Sequence, residues 1–398
     1  MTTHLATPAH KEVRLPLRLL AWGALGVALH VGMARFAYGV VLPSLRTEMG
    51  LGYTAGGVLN ALHLAGYLVG TLLGPGLIRR YGVSQLVVAA HLLVAMGAFL
   101  CALAPANPGF GVVLLGIGRV ATGVGAGPAV IAIMVSVLSS VAEPSRASAS
   151  VLMWIGMAIA ILGCGAGAPW LLQPGAWRLV FVAAALVALV LAFGFPVAKA
   201  MPGDSGAGQG FTFASIATPR WAWLVLTYLC FGLGYIAYAT FAGTRMAAAA
   251  APLTVVAWAW ATLGLATLCG GGITLWLLGK PRLRPYALPA AMAAASLGCV
   301  AAAMASAGAA LAGAVGVGLG LAATPALVTA AARARSSAAD YARAFSIATA
   351  AMGVGQLIGP VVAGALADLL GSAAAPLFAA VAYGLGAVFA VIDRHAAR

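Results

Sequence analysis

Charge is what this chain lacks. Its 398 residues include 21 Lys/Arg and 7 Asp/Glu, where a soluble globular chain of the same length would carry about a quarter charged residues, on the order of 100. The shortage excludes a soluble enzyme, a nucleic-acid-binding domain and a disordered protein. The net charge of +14 is no nucleic-acid footprint, because the basic residues stand singly or in pairs between apolar runs. Cysteine is also sparse. Cys101, Cys164, Cys230, Cys269 and Cys299 all lie in apolar runs, show no disulfide or metal-ligand spacing, and read as small core residues. No phosphate-cradling glycine loop is present, so ATP does not drive the protein directly, and no cofactor or metal is expected.

What the chain has is apolar length: 63% of it is hydrophobic. A bilayer core of about 30 Å needs roughly 20 apolar residues per helix. Twelve such runs are present: Leu17–Val41, Ala55–Ile78, Gln85–Ala104, Phe110–Leu138, Ala147–Leu172, Leu179–Ala198, Trp221–Phe241, Leu253–Gly279, Pro285–Ala305, Ala309–Ala332, Ala344–Ala367 and Ala374–Ile392. None alternates as a barrel strand does. The expectation is an all-α membrane protein of twelve transmembrane helices. The basic N-terminus followed by an apolar run mimics a signal peptide, but the run is too long and reads as the first span. With the N-terminus inside, Arg46, Arg178 and Arg245 fall in outside segments, Arg35 and Arg119 fall within spans, and every other Lys/Arg falls inside. The positive-inside rule then predicts an inner-membrane protein with both ends cytoplasmic.

The sequence repeats. Shifted by 200 residues, Gly32, Ala37, Tyr38, Thr54, Ala61 and Gly70 fall on Gly232, Ala237, Tyr238, Thr254, Ala261 and Gly270. Shifted by 197, the segment from Ser139 to Ala147 falls on that from Ser336 to Ala344, aligning Glu143 with Asp340 and Arg146 with Arg343. The predicted organisation is a six-helix half over 1–198, a cytoplasmic linker over 199–221 and a second half over 222–398. Such duplication, with a substrate site between the halves, is a recurrent transporter plan.

Four segments resemble the major facilitator superfamily. They are Arg119-Val-Ala-Thr-Gly123 in the fourth span, Trp177-Arg178-Leu-Val-Phe181 at the sixth, Gly355-x-x-x-Gly359-Pro360-x-x-x-Gly364 with Asp368 and Gly371 in the eleventh, and the opening Gly32-Met-Ala-Arg35-Phe-Ala-Tyr38-Gly39, which resembles a bacterial branch of that family. Two segments depart from the family pattern. The loop after the second span has Arg79 where the family carries an acid, and the fifth span has Gly163-x-x-x-Gly167 followed by Ala168-Pro169. The second departure weakens an antiporter reading. The resemblance implies a small-molecule transporter in which spans one, four, seven and ten line a central cavity.

Leaving arginine in hydrocarbon costs at least ~2.5 kcal/mol, so Arg35 and Arg119 should face a wet cavity or a partner. A guanidinium fork suits carboxylate or phosphate. Arg119 reads equally as a ligand contact or a structural group. Arg35 leans to the ligand, because its repeat counterpart is Tyr235. His30 and His63 are the near-neutral titrating groups available as proton carriers, while His91 reads as core. Span seven carries an aromatic stripe of Tyr228, Phe231, Tyr235 and Tyr238, with Tyr38 as the counterpart of the last. Span eleven aligns Ser346, Thr349, Gly353 and Gln356. The candidate substrate contacts are Arg35, Tyr38, Arg119, Tyr235, Tyr238 and Gln356. Arg79, Arg80, Glu143, Arg146, Asp340 and Arg343 form a candidate cytoplasmic gate.

The expected function is secondary transport of a small organic molecule, an anion or carboxylate, by alternating access, with protons as the coupling ion and a monomer as the working unit. A proton-driven exporter of drugs or sugars is the alternative. A membrane-embedded enzyme is disfavoured, because no acid, metal or nucleophile–base cluster is visible.

Overall fold

The computed structural model describes residues 17–194, 221–304, 306–335 and 338–396. The linker over 199–221 lies outside them except for Trp221. Twelve helical passes are found among the described residues, and no strand. They are α1 Leu17–Met49, α2 (53–81), α3 (83–103), α4 Phe110–Ser139, α5 Arg146–Leu171, α6 Arg178–Phe193, α7 Ala222–Ala248, α8 Leu253–Leu278, α9 Arg284–Ala303, α10 Ala307–Arg333, α11 Ala338–Leu370 and α12 Ala374–Ala396. Large apolar side chains stand on the outer surface, among them Phe99, Ile159, Leu186, Leu275, Leu297 and Val381. A surface of that kind is solvated by lipid.

Two boundaries differ from the sequence reading. The predicted end of the first span at Val41 is passed: α1 runs on to Met49, taking Pro43 into the helix, and Gly50 ends it at φ 63°. Arg46 therefore sits in the last turn rather than in a loop, donating from Nε to the Leu51 carbonyl and lying over the Tyr53 ring. The segment around residues 79–84 is not a loop either. Helical backbone continues on both sides of Gly82, whose φ of 78° and ψ of 162° turn the chain at a single residue. A β-carbon is strained in that conformation.

Within α1, Ala28–Ala37 is a π-helical stretch. Wider turns of this kind are uncommon and concentrate at functional positions. This one carries His30 and Arg35.

Helices α1–α6 pack among themselves, as do α7–α12, and the two groups meet through α1 with α7, α2 with α11, and α5 with α8. Both described chain ends lie at one end of the bundle, here the terminal end. The opposite, far end holds the turns after α1, α3, α5, α7, α9 and α11. Carboxylates pin both ends. At the far end Glu48 accepts from the Gly175 N–H, from Trp177 Nε1 at 2.9 Å and from Arg178 at 3.4 Å. Arg178 also donates to the Ala104 carbonyl. This explains the Trp-Arg opening of α6, which clamps the ends of α1 and α3. At the terminal end Arg335 grips Asp393 through two bonds of 2.8 and 2.5 Å.

Candidate functional site

The groups of helices touch where side chains are smallest. A β-carbon on Gly39 of α1 would run into the Ala239 carbonyl of α7, so these backbones cross in direct contact. Beside that crossing lies Arg35, 7% exposed. Its Nη1 donates to Tyr235 Oη at 2.8 Å, and its guanidinium lies over the Tyr67 ring, 4.6 Å from the centroid. Its Nε is buried without a hydrogen-bond partner. Tyr235 is held by stacking on Phe231, which stacks in turn on Tyr228. The aromatic stripe of α7 is thus a wall that aims one phenol at one guanidinium.

Arg119 is arranged differently. Nη1 donates to the Ala34 carbonyl at 2.9 Å, Nε to the Leu59 carbonyl at 3.3 Å and Nη2 to Asn60 Oδ1 at 2.6 Å, and the guanidinium covers the Tyr38 ring. It ties α1, α2 and α4 together. Asn60 passes the connection across to α7, its Nδ2 donating to Thr240 Oγ1 at 2.7 Å. All three guanidinium nitrogens of Arg119 thus donate within the bundle.

The other expected contacts divide. The Tyr38 hydroxyl donates to the Gly56 carbonyl at 2.8 Å, so its polar tip is engaged within the bundle. Tyr238 is buried beside Cys299 of α9, inside its own group of helices. Gln356 is buried on α11. Thr349 Oγ1, about two turns before it, lacks a partner.

His63 Nδ1 lies 3.1 Å from Thr122 Oγ1, which donates to the Arg119 carbonyl. His30 meets His91, a residue the sequence reading had assigned to the core. Arg79, Arg80 and Glu143 are exposed. Arg146 bonds back to the Leu138 and Val141 carbonyls. The side chains of Asp340 and Arg343 lie outside the described residues, so the candidate gate is described only in part.

Sequence reasoning passed over three further residues. Asp368, at the far end of α11, accepts from the Tyr53 and Thr54 N–H groups at 2.7 and 2.8 Å and from Thr54 Oγ1 at 2.6 Å. One group of helices thereby caps the first turn of a helix in the other, and a negative charge at a helix N-terminus is favourable. In the sequence Asp368 is a motif position without a role, Asn60 a polar residue sharing a helix face with His63 and Tyr67, and Thr240 a polar residue in an apolar run.

These contacts carry a consistent picture. Arg35–Tyr235, Asn60–Thr240 and Asp368–Thr54 all join the two groups in the half of the bundle nearer the far end. No carboxylate among the described residues pairs with Arg35 or Arg119. The three described carboxylates with hydrogen-bond partners are Glu48, Asp368 and Asp393, at helix ends.

Comparison with known proteins agrees with this fold. Residues 27–393 match the family described as "Uncharacterised MFS-type transporter YbfB". The chain belongs to that family and is a transporter of the major facilitator superfamily, a multi-pass membrane protein. No curated protein matches it. Among solved structures it is similar to the nucleoside transporter NupG in a D323A mutant, at 14% identity, covering 96% of this chain and 100% of that one with a TM-score of 0.75. It is also similar to a D-xylose-proton symporter, at 18% identity, covering 96% and 97% with a TM-score of 0.75. A bacterial homolog of the human lysosomal transporter Spinster, inward-facing and unoccupied, aligns at 17% identity over 96% and 97% with a TM-score of 0.68. Identities this low speak to fold alone.

Proposed function

We propose that the protein is a secondary transporter of a small organic anion, with a carboxylate docking on Arg35. One observation carries this reading. A guanidinium is buried at the junction of the two groups of helices, with no carboxylate among the described residues against it and with its Nε unpartnered. A desolvated cation of that kind is stabilised by an incoming anion more than water-exposed arginine would be. The cation–π contact with Tyr67 and the bond that Arg35 donates to Tyr235 hold the fork in place without neutralising it.

In this reading two six-helix halves, 1–198 and 222–398, rock about the Gly39–Ala239 crossing and expose the site alternately. Inter-half bonds concentrated toward the far end support a state closed on that side. The charge bias of the loops supports a cytoplasmic terminal end and a multi-pass inner-membrane location, and the working unit in this reading is a monomer. Arg79, Arg80, Glu143, Arg146, Asp340 and Arg343 would meet in the opposite state as the cytoplasmic gate. Protons are the coupling ion, with His30 and His63 as the candidate carriers. Tyr38, Tyr238 and Gln356 shape the site from behind its polar front.

A second reading, a proton-driven exporter of drugs or sugars, draws support from the engagement of Arg119 with backbone carbonyls, which leaves Arg35, of these two, as the guanidinium available to an anion. The substrate of one fold neighbour, D-xylose, belongs to that chemistry. Uptake of a panel of carboxylates, sugars and cationic drugs into liposomes, with and without a pH gradient, decides between them. Carboxylate uptake that Arg35→Ala reduces at least tenfold supports the anion reading. Equal uptake by both proteins, or competition by neutral and cationic compounds alone, overturns it.

A further inference from the structure

His30 on α1 and His91 on α3 face each other in the interior. Their Nε2 atoms are 3.1 Å apart, their ring centroids 4.9 Å apart, and both residues are fully buried. His91 Nδ1 lies 2.7 Å from the Val87 carbonyl. A carbonyl only accepts, so this nitrogen carries a hydrogen. A neutral His91 therefore has a bare Nε2, and the hydrogen between the rings belongs to His30 Nε2. Neutral His30 is then bare at Nδ1, and that atom is buried without a partner.

This tautomer chain has room for one more proton. Added at His30 Nδ1, it makes an imidazolium that still donates from Nε2 to His91. The existing bond becomes charge-assisted, roughly twice as strong as a neutral one. A second proton would need an N–H on both facing Nε2 atoms and would break the contact. We propose that the His30–His91 pair is a one-proton binding site, loaded through His30 Nδ1, and that it is the proton carrier of the transport cycle. The coupling part of this proposal rests on the transporter reading above.

A small cavity adjoins His30. A cavity of about 20 Å³ is lined by His30, Met33, Ala34, Tyr38, Arg119 and Thr122 together with apolar residues, enough for one water molecule. His63 is the poorer carrier. Thr122 donates its own hydrogen to the Arg119 carbonyl, so His63 Nδ1 must donate to Thr122. His63 Nε2, like His30 Nδ1, is buried without a partner, but His63 does not line that cavity.

The surroundings set the sign of coupling. From α1 come Arg35 and the Trp22 ring, 6.0 Å from His91. From α2 come His63 and Tyr67, and from α4 Arg119 and Thr122. Helix α6 brings Val180, Phe181 and Ala184, and α5 brings Met157 and Ala160 against Gly32. Among the described residues these elements present no carboxylate to the pair. Protonation thus adds a third cation to Arg35 and Arg119, and an anion at Arg35 offsets it. Each of the two ligands favours binding of the other, as linkage requires, which makes the protein a proton–anion symporter.

The test uses the full chain in nanodiscs with 15N-labelled histidine, without substrate, from pH 8 to pH 4.5. The expected result is uptake of one proton by the pair, with His91 Nδ1 protonated throughout and a scalar coupling across the Nε2–H···Nε2 bond that His91→Ala abolishes. Uptake of two protons, of none, or a bare His91 Nδ1 overturns the site. Coupling is read separately in liposomes with an entrapped pH dye, on addition of lactate, succinate or benzoate. Wild type should carry protons inward with at least one of these, and His30→Gln should lose at least tenfold of that signal. A wild type that moves these anions without protons, or a variant that acidifies equally, overturns the coupling role. A wild type that moves none of them overturns the anion reading and, with it, the coupling role, while the spectroscopic result still decides the site.

Discussion

Arg35 and Tyr235 are 200 residues apart, occupy equivalent positions of the sequence repeat, and are joined by a 2.8 Å hydrogen bond. Gly39 and Ala239, separated by the same 200 residues, are in backbone contact four residues further on. Equivalent residues meet each other where a two-fold relation passes between them. At that point the repeat has diverged to a cation on one side and a phenol on the other. Tyr235→Phe keeps the ring stack but leaves Arg35 Nη1 buried and unpaired, a loss of about 1–3 kcal/mol. Carboxylate uptake should fall roughly tenfold, with a larger fall for Arg35→Lys, whose point charge cannot reproduce the fork. Initial-rate uptake in liposomes checks both.

Arg119 should behave as a structural residue. Arg119→Ala orphans the Ala34 and Leu59 carbonyls and Asn60 together, and loss of one partner from a buried charged network costs about 3–5 kcal/mol. The expected result is a melting temperature in detergent many degrees below wild type, against a small change for Arg35→Ala. Equal melting of the two variants would contradict the division of roles.

Asp368 should bias the conformational equilibrium. Its three bonds to Tyr53 and Thr54 join the two groups at the far end and would break on opening there. Asp368→Ala removes charge-assisted bonds worth about 1.5–3 kcal/mol each, and even one of these is a shift of ten- to a hundredfold in population. A cysteine placed at Thr240 should then react faster with a membrane-impermeant thiol reagent added from the far side. Unchanged labelling would show that the cap is not a latch.

Gly39 should tolerate nothing larger. Gly39→Val puts side-chain atoms into the Ala239 carbonyl and holds α1 and α7 apart. The variant should insert in the membrane, fail to accumulate substrate, and show the same increase in Thr240 accessibility as Asp368→Ala.

Much of this was legible in the chain. Twelve apolar runs gave twelve passes, because burial in lipid leaves helices few alternatives. The two intramembrane arginines were visible as costs needing an explanation, and the repeat offset already set Arg35 opposite Tyr235. The helix ends were less legible. Glu48, in the last turn of α1, is held by Gly175, Trp177 and Arg178, more than a hundred residues away. The His30–His91 contact was hidden for the same reason: nothing local marks a histidine on α3 as the partner of one on α1. The π-helical stretch has no sequence signature at all, since its glycine and aromatic content matches that of its α-helical neighbours. The distinction between Arg35 and Arg119 was beyond sequence, being a matter of which carbonyls happen to lie within reach.

The reversal at Gly82 leaves no slack between α2 and α3. A protease needs several extended residues to grip, so this hairpin should resist cleavage even when other connections are cut. A connection with no give also cannot absorb displacement. Movement of α2 when the α11 cap is released is therefore handed directly to α3, and through it to the ring of His91.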